Sequence, residues 1–112
     1  MGKAPAFMFY ASDFFVDVAH WSNEDVGVYI RLLCKQWVDG QVNGHPNGLA
    51  YAVGLTPDQF LPIWERIKHK FESDGKGGYI NKRLEQTRQI QKEYRDKLSK
   101  GGKKGAKKRW NQ

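Results

Sequence analysis

Cysteine is nearly absent: Cys34 is the only one in 112 residues. That excludes an intramolecular disulfide and any zinc site built from several thiolates. Its setting among apolar helical positions reads as packing. Long hydrophobic runs are missing too, none approaching the roughly 18 residues that span a bilayer. The opening Met1-Gly2-Lys3-Ala4-Pro5-Ala6 lacks the continuous apolar stretch of a secretory signal. The expectation is a cytoplasmic protein. His20, His45 and His69 are widely spaced and make no His-x-x-x-His ligand set. Around Gly75, Gly77 and Gly78 there is neither a Gly-Lys-Ser/Thr phosphate loop nor a Gly-x-Gly-x-x-Gly frame. No nucleophile stands in a pattern with a base, so no catalysis, cofactor or metal is expected.

The most uneven absence is of acid. Lys97 to Gln112 contains no Asp or Glu and seven bases: Lys97, Lys100, Lys103, Lys104, Lys107, Lys108 and Arg109. Residues 1–65 hold three bases against seven acids, net −4; residues 66–112 hold sixteen against five, net +11. Such a field draws a polyanion to one end of the molecule, and phosphate backbones are the commonest soluble polyanion. The same end is poor in apolar residues, so its charge is not needed for a core.

What is plentiful is aromatic: 13% of the chain is Phe, Trp or Tyr, and 39% is hydrophobic. That suffices for one core in a single domain, placed at residues 1–98, with residues 99–112 as a basic Gly/Lys-rich tail. Phe7-Met8-Phe9-Tyr10 reads as a buried strand or an extended arm, with its length favouring the strand. Phe14, Phe15 and Val16 suggest a turn or short helix. Ser22 is a helix cap, with Glu24 and Asp25 at the positive end. Val26, Tyr29, Ile30, Leu33, Cys34 and Trp37 then form a stripe that ends at Gly40. Gly27, inside that helix, implies close approach by another element. Gln41 to Gly48 reads as a loop, and Leu49–Val53 as a short helix ended by Gly54.

Thr56, Pro57 and Gln59 form a capping box with proline at the first helical position. Phe60, Ile63, Trp64, Ile67 and Phe71 make the apolar face of this helix, and Pro62 within it predicts a kink or restart. Phe71 to Ile80 has the pattern of a β-hairpin. Asn81 caps a last helix to about Ser99, whose second half projects into solvent. Gly101, Gly102 and Gly105 predict a flexible tail beyond it. Asp13 and Asp17, four apart, read as capping residues or as partners of Arg31.

Helix, short helix, helix, hairpin is the order of a winged helix-turn-helix, an α+β and mainly helical class. The candidate nucleic-acid contacts are Arg66 and Lys68 on the third helix, with Lys70, Lys76, Lys82 and Arg83 around the hairpin. To these the tail adds Lys100, Lys103, Lys104, Lys107, Lys108, Arg109 and Trp110. Lysines displace counterions from phosphates, glycines allow close backbone approach, and Trp110 can stack on a base. A solubilising tail, a helix covering an acidic partner protein, or a nuclear-import segment has the same composition.

The motif Gly27-x-Tyr29-x-Arg31-Leu32-Leu33-x-x-x-Trp37 resembles the YdaU-like proteins of phages and prophages, a family of unknown function. Pro5-Ala6-Phe7, Phe9-Tyr10, Asp13-Phe14, Asp17, Ser22 and Glu24 are similar as well. So are Gly54-Leu55, Trp64, Phe71, Tyr79-Ile80-Asn81, Arg83-Leu84 and the closing basic stretch to Trp110. The chain departs from the family at His20-Trp21, where the family pattern has Leu just before the Ser cap, and in a longer Gln41–Pro46 loop. The resemblance implies a region like the winged-helix amino-terminal part of phage replisome-organiser and primosomal proteins. It further implies binding to DNA, duplex or single-stranded, near an origin, and recruitment of a replicative helicase or its loader. It brings no catalytic residues. The residues by themselves also allow a protein-interaction module that redirects a host protein through Phe7 to Trp37, or a transcriptional regulator.

Overall fold

A computed structural model describes residues 6–111, with side chains up to Ser99 apart from Pro46. The readings of residues 1–5 and of the tail side chains lie outside this set. The chain is mainly helical with one small antiparallel sheet. In order come α1 (Ala11–Asp17), α2 (Asn23–Asp39), β1 (Val42–Asn43), α3 (Pro46–Ala52) and α4 (Pro57–Ile67). A single 3-10 turn at Lys68–Lys70 leads to β2 (Glu72–Ser73), β3 (Gly78–Ile80) and α5 (Lys82–Asn111).

Local chemistry sets most of these ends. Ser22 Oγ accepts from the Asp25 amide at 3.1 Å, and Gly40 ends α2 at φ 92°, the left-handed region that glycine tolerates. Thr56 and Gln59 close a reciprocal capping box, each side chain accepting from the other's backbone N–H. Asn81 Oδ1 accepts from the Leu84 amide at 3.0 Å and starts α5.

The core lies between α2, α3 and α4, closed at one end by the sheet and the start of α5. Leu32, Ala50, Phe60 and Ile67 are fully buried, with Leu49, Ile63 and Val42 at 1% exposure. Aromatic rings join the layers: Trp64 meets Phe60, Phe71 and Tyr79, and Tyr29 meets Phe14, Trp21 and Phe71.

The buried face of α2 differs from the expected stripe. It consists of Asp25, Val28, Tyr29, Leu32, Leu33, Gln36 and Trp37, while Cys34 is exposed and Val26 and Ile30 are half-buried. Helix α2 packs against α4, α3 and α5, and the buried arc takes in Gln36. Gly27 has no neighbour within 4 Å of a hypothetical Cβ, so no close approach explains it. Helix α4 runs unbroken through Pro62. Pro62 lies on the exposed face, where water serves the carbonyl left without an N–H donor.

Three further expectations are corrected. Phe7–Tyr10 is an arm without strand pairing: Phe7 packs on Trp37 with ring centroids 5.0 Å apart, while Met8, Phe9 and Tyr10 stay exposed. The Gln41–Gly48 segment contains β1, and α3 begins at Pro46 with the His45 ring as cap acceptor for Asn47. Helix α5 does not break at Gly101, Gly102 or Gly105 but continues to Asn111. Each glycine costs about 1 kcal/mol against alanine, and the flanking Lys, Arg and Ala favour helix.

The sheet order is β1-β3-β2, with Val42 opposite Tyr79 and Ser73 opposite Tyr79 on its other side. Helix α5 leaves the body beside β3, and the molecule measures 66 by 30 by 22 Å. Among the described residues, no helix is long and apolar enough to cross a membrane.

Candidate nucleic-acid interface

The direction of α5 is set by a buried polar knot that the sequence does not advertise. Gln36 is fully buried in α2; its Oε1 accepts from the Asn81 amide and its Nε2 donates to the Asn81 carbonyl at 3.1 Å. Asn81 Nδ2 donates to the Tyr29 hydroxyl at 3.1 Å and to the Lys70 carbonyl at 2.8 Å. Burial pushes the Tyr29 phenol above its ordinary value, against the hydrogen bond from Asn81. Two turns later, Arg88 donates to the Gln36 and Trp37 carbonyls at 2.7 and 2.8 Å, with its guanidinium 4.9 Å from the Trp37 ring centre. These contacts lock the first two turns of α5 onto the carboxyl end of α2. Sequence reasoning missed Gln36 and Arg88. A glutamine within an apolar stripe was the available hint.

Of the six body cations expected to contact nucleic acid, three are matched by acids. Arg66 forks onto Asp25, Nε to Oδ2 at 2.9 Å and Nη2 to Oδ1 at 2.8 Å. This bond holds the Asp25 carboxyl below its ordinary value and raises Arg66. Lys68 meets Glu65 at 2.8 Å on the surface. Arg83 reaches both Asp13 and, at 3.4 Å, Asp17. The expected partner of that acid pair, Arg31, instead donates to the Val53 carbonyl at 3.0 Å.

The remaining three are arranged differently. Lys70 places its ammonium 6.0 Å from the centre of the Trp21 ring. Its carbonyl bond to Asn81 brings its backbone beside Lys82, the exposed first residue of α5. Lys76 sits in the turn between β2 and β3, where Asp74 Oδ1 accepts from the Lys76 and Gly78 amides at 2.7 and 3.0 Å. Those two donors lower the Asp74 carboxyl. The short strands separate Lys76 from Lys70 and Lys82, so the six do not form one continuous cationic face.

The outer surface of α4 carries Asp58, Gln59, Leu61, Pro62 and Glu65 as well as Arg66. It is therefore close to neutral. The unbalanced charge lies further along α5: Lys100, Lys103, Lys104, Lys107 and Lys108 occupy positions of a continuous helix. Spacings of three and four put these positions on one face. Arg109 and Trp110 complete the basic segment. Among the described residues, no three His, Cys, Asp or Glu side chains gather as a metal site. No protein-family model, curated protein or solved structure matches this chain.

Proposed function

We propose that this chain is a non-enzymatic nucleic-acid-binding protein that grips phosphate backbones with the distal part of α5. The observation that carries the reading is the unbroken helix from Lys82 to Asn111, whose last fifteen residues, from Lys97 on, hold seven bases and no acid. A helix of about 45 Å presents such cations at the spacing of successive phosphates more regularly than a coil does. The body is assigned as a winged helix-turn-helix. Support comes from the element order α2-β1-α3-α4-β2-β3 and the sheet order β1-β3-β2. In that assignment α4 is the groove helix and the β2–β3 hairpin is the wing.

The near-neutral surface of α4 and the engagement of Arg66 with Asp25 favour backbone contact over base reading. The role implied by the resemblance follows within the same proposal: a phage replication accessory that binds DNA and recruits a helicase or loader. Fluorescence anisotropy on labelled single- and double-stranded oligonucleotides tests it. With about four cations engaged, log affinity should fall against log salt at a slope near −3.6. Changing Lys103, Lys104, Lys107 and Lys108 together to Gln in the full chain should abolish most of that slope. An unchanged slope would remove α5 from the interface.

One observation favours a second reading, a protein-interaction module. Met8, Phe9 and Tyr10 of the arm and Phe15 and Val16 of α1 are large, apolar and 48–74% exposed. A host protein retained by the wild type after nuclease treatment, and lost with Phe15→Glu, would support this reading over the first.

A further inference from the structure

Arg83 follows Lys82 in the first turn of α5, and both are exposed. Its two terminal nitrogens are taken by different carboxylates, Nη2 by Asp13 and Nη1 by Asp17 at 3.4 Å. Both acids belong to α1, and α1 gains nothing from them as a helix. Carboxylates four positions apart repel one another, and Asp17 stands at the negative end of the helix dipole. Helix α1 has seven residues, no side-chain cap and no buried residue. So short a helix is not stable by itself. Arg83 and the stacking of Phe14 on Tyr29, with ring centroids 5.7 Å apart, hold it to the body. A cavity of about 60 Å³ remains beneath it, between Phe7, Phe14, Tyr29, Leu33 and Leu84. The contact is therefore loosely packed and centred on one exposed cation.

We propose that Asp13 and Asp17 are an internal competitor for Arg83: α1 masks a phosphate-binding arginine, and a nucleic-acid backbone displaces α1 to reach it. This competition rests on nucleic acid being the partner of α5. A phosphate offers an arginine the same pair of acceptor oxygens that carboxylates do, so one guanidinium serves either anion and not both. Lys82 and Arg83 together carry two positive charges, and Asp13 and Asp17 cancel both. Releasing the acids turns a neutral corner into a cationic one at the root of the basic helix. Once a phosphate holds Arg83, the two carboxylates are left to repel within α1, and the helix loses its tether. Arg66 is not available in this way, because both its bonds go to the single carboxylate of Asp25, which is itself buried.

Two measurements on the full chain decide it. Hydrogen–deuterium exchange of the wild type with and without a saturating DNA duplex should show residues 11–18 exchanging faster in the complex, whereas direct contact would slow them. Asp13→Asn combined with Asp17→Asn, isosteric changes at exposed positions, should steepen the salt slope by about 0.9. Affinity should rise roughly eightfold at ~0.1 M salt, the counterion gain of one further phosphate. Arg83→Gln added to that double variant should remove both gains, with circular dichroism confirming the fold of each variant. Gains that survive Arg83→Gln come from the lost acid charge alone and overturn the mask. So does a double variant with an unchanged slope, and so do α1 amides that fail to speed up in the complex. Each of these outcomes, with a wild type that binds, leaves the nucleic-acid reading standing. Absence of binding by both the wild type and the double variant overturns the two together.

Discussion

Arg66 of α4 and Asp25 of α2 meet fork to carboxylate, with both guanidinium–oxygen bonds at 2.8–2.9 Å. The same aspartate lies in the first turn of α2, where its amide is capped by Ser22. One ion pair thus ties α4 to the amino end of α2. It ties the two helices together at a cost to the cationic surface.

Its pH dependence has a definite sign. The folded carboxyl of Asp25 is depressed, chiefly by the Arg66 hydrogen bond, from an ordinary value of 3.8. Its contribution is therefore fully present above that value and disappears as pH falls through the lower folded value. Asp25→Asn should cost about 1–2 kcal/mol at neutral pH. The gap in melting temperature between wild type and variant should close as the solution is acidified below the ordinary carboxylate range. A gap that persists at low pH would show that the pair is held by something other than charge.

Arg66→Ala should leave nucleic-acid affinity within about twofold of wild type, because the guanidinium already has a partner. Lys82→Gln, at an exposed cation beside Lys70, should reduce the magnitude of the salt slope by about 0.9 if Lys82 engages a phosphate. Titrations at several salt concentrations, with the fold of each variant checked by circular dichroism, measure both. A large loss with Arg66→Ala would mean that Arg66 leaves Asp25 in the complex.

Asn81 makes two donor contacts and one cap, and its two simple variants separate them. Asn81→Asp keeps an acceptor for the Leu84 amide but sets a carboxylate oxygen against the Lys70 carbonyl. A loss of about 1–3 kcal/mol is expected. Asn81→Ala loses the cap as well, adding about 1 kcal/mol. Chemical denaturation should rank wild type above Asn81→Asp, and Asn81→Asp above Asn81→Ala.

Two glycines should respond with opposite signs to alanine. Gly27 is in the interior of α2 with open space around it, so Gly27→Ala should stabilise by about 0.5–1 kcal/mol. A Cβ at Gly44 would stand 2.3 Å from the Gly77 carbonyl oxygen, a backbone atom across the sheet. Gly44→Ala should cost about 1–3 kcal/mol by parting β1 from β3. Thermal melts of the two variants decide both points.

The sequence alone determined the features whose causes lie within a few residues. Ser22, Gly40, the Thr56–Gln59 box and Asn81 mark helix ends because a cap satisfies amides or carbonyls of its own turn. The hairpin between Phe71 and Ile80 was legible for the same reason, and so was the segregation of charge. Tertiary contact decided the rest. β1 is two residues of a glycine-rich stretch that become a strand only because β3 offers its edge. Gln36 is buried because Asn81, forty-five positions away, satisfies its amide. Which cations remain unmatched followed from Asp25 and Asp13 lying opposite Arg66 and Arg83 in the fold, and no periodicity along the chain encodes that pairing. Local sequence fixes where a helix starts and which of its residues are apolar. It does not fix which distant group will neutralise a charge, because that depends on how the helices pack.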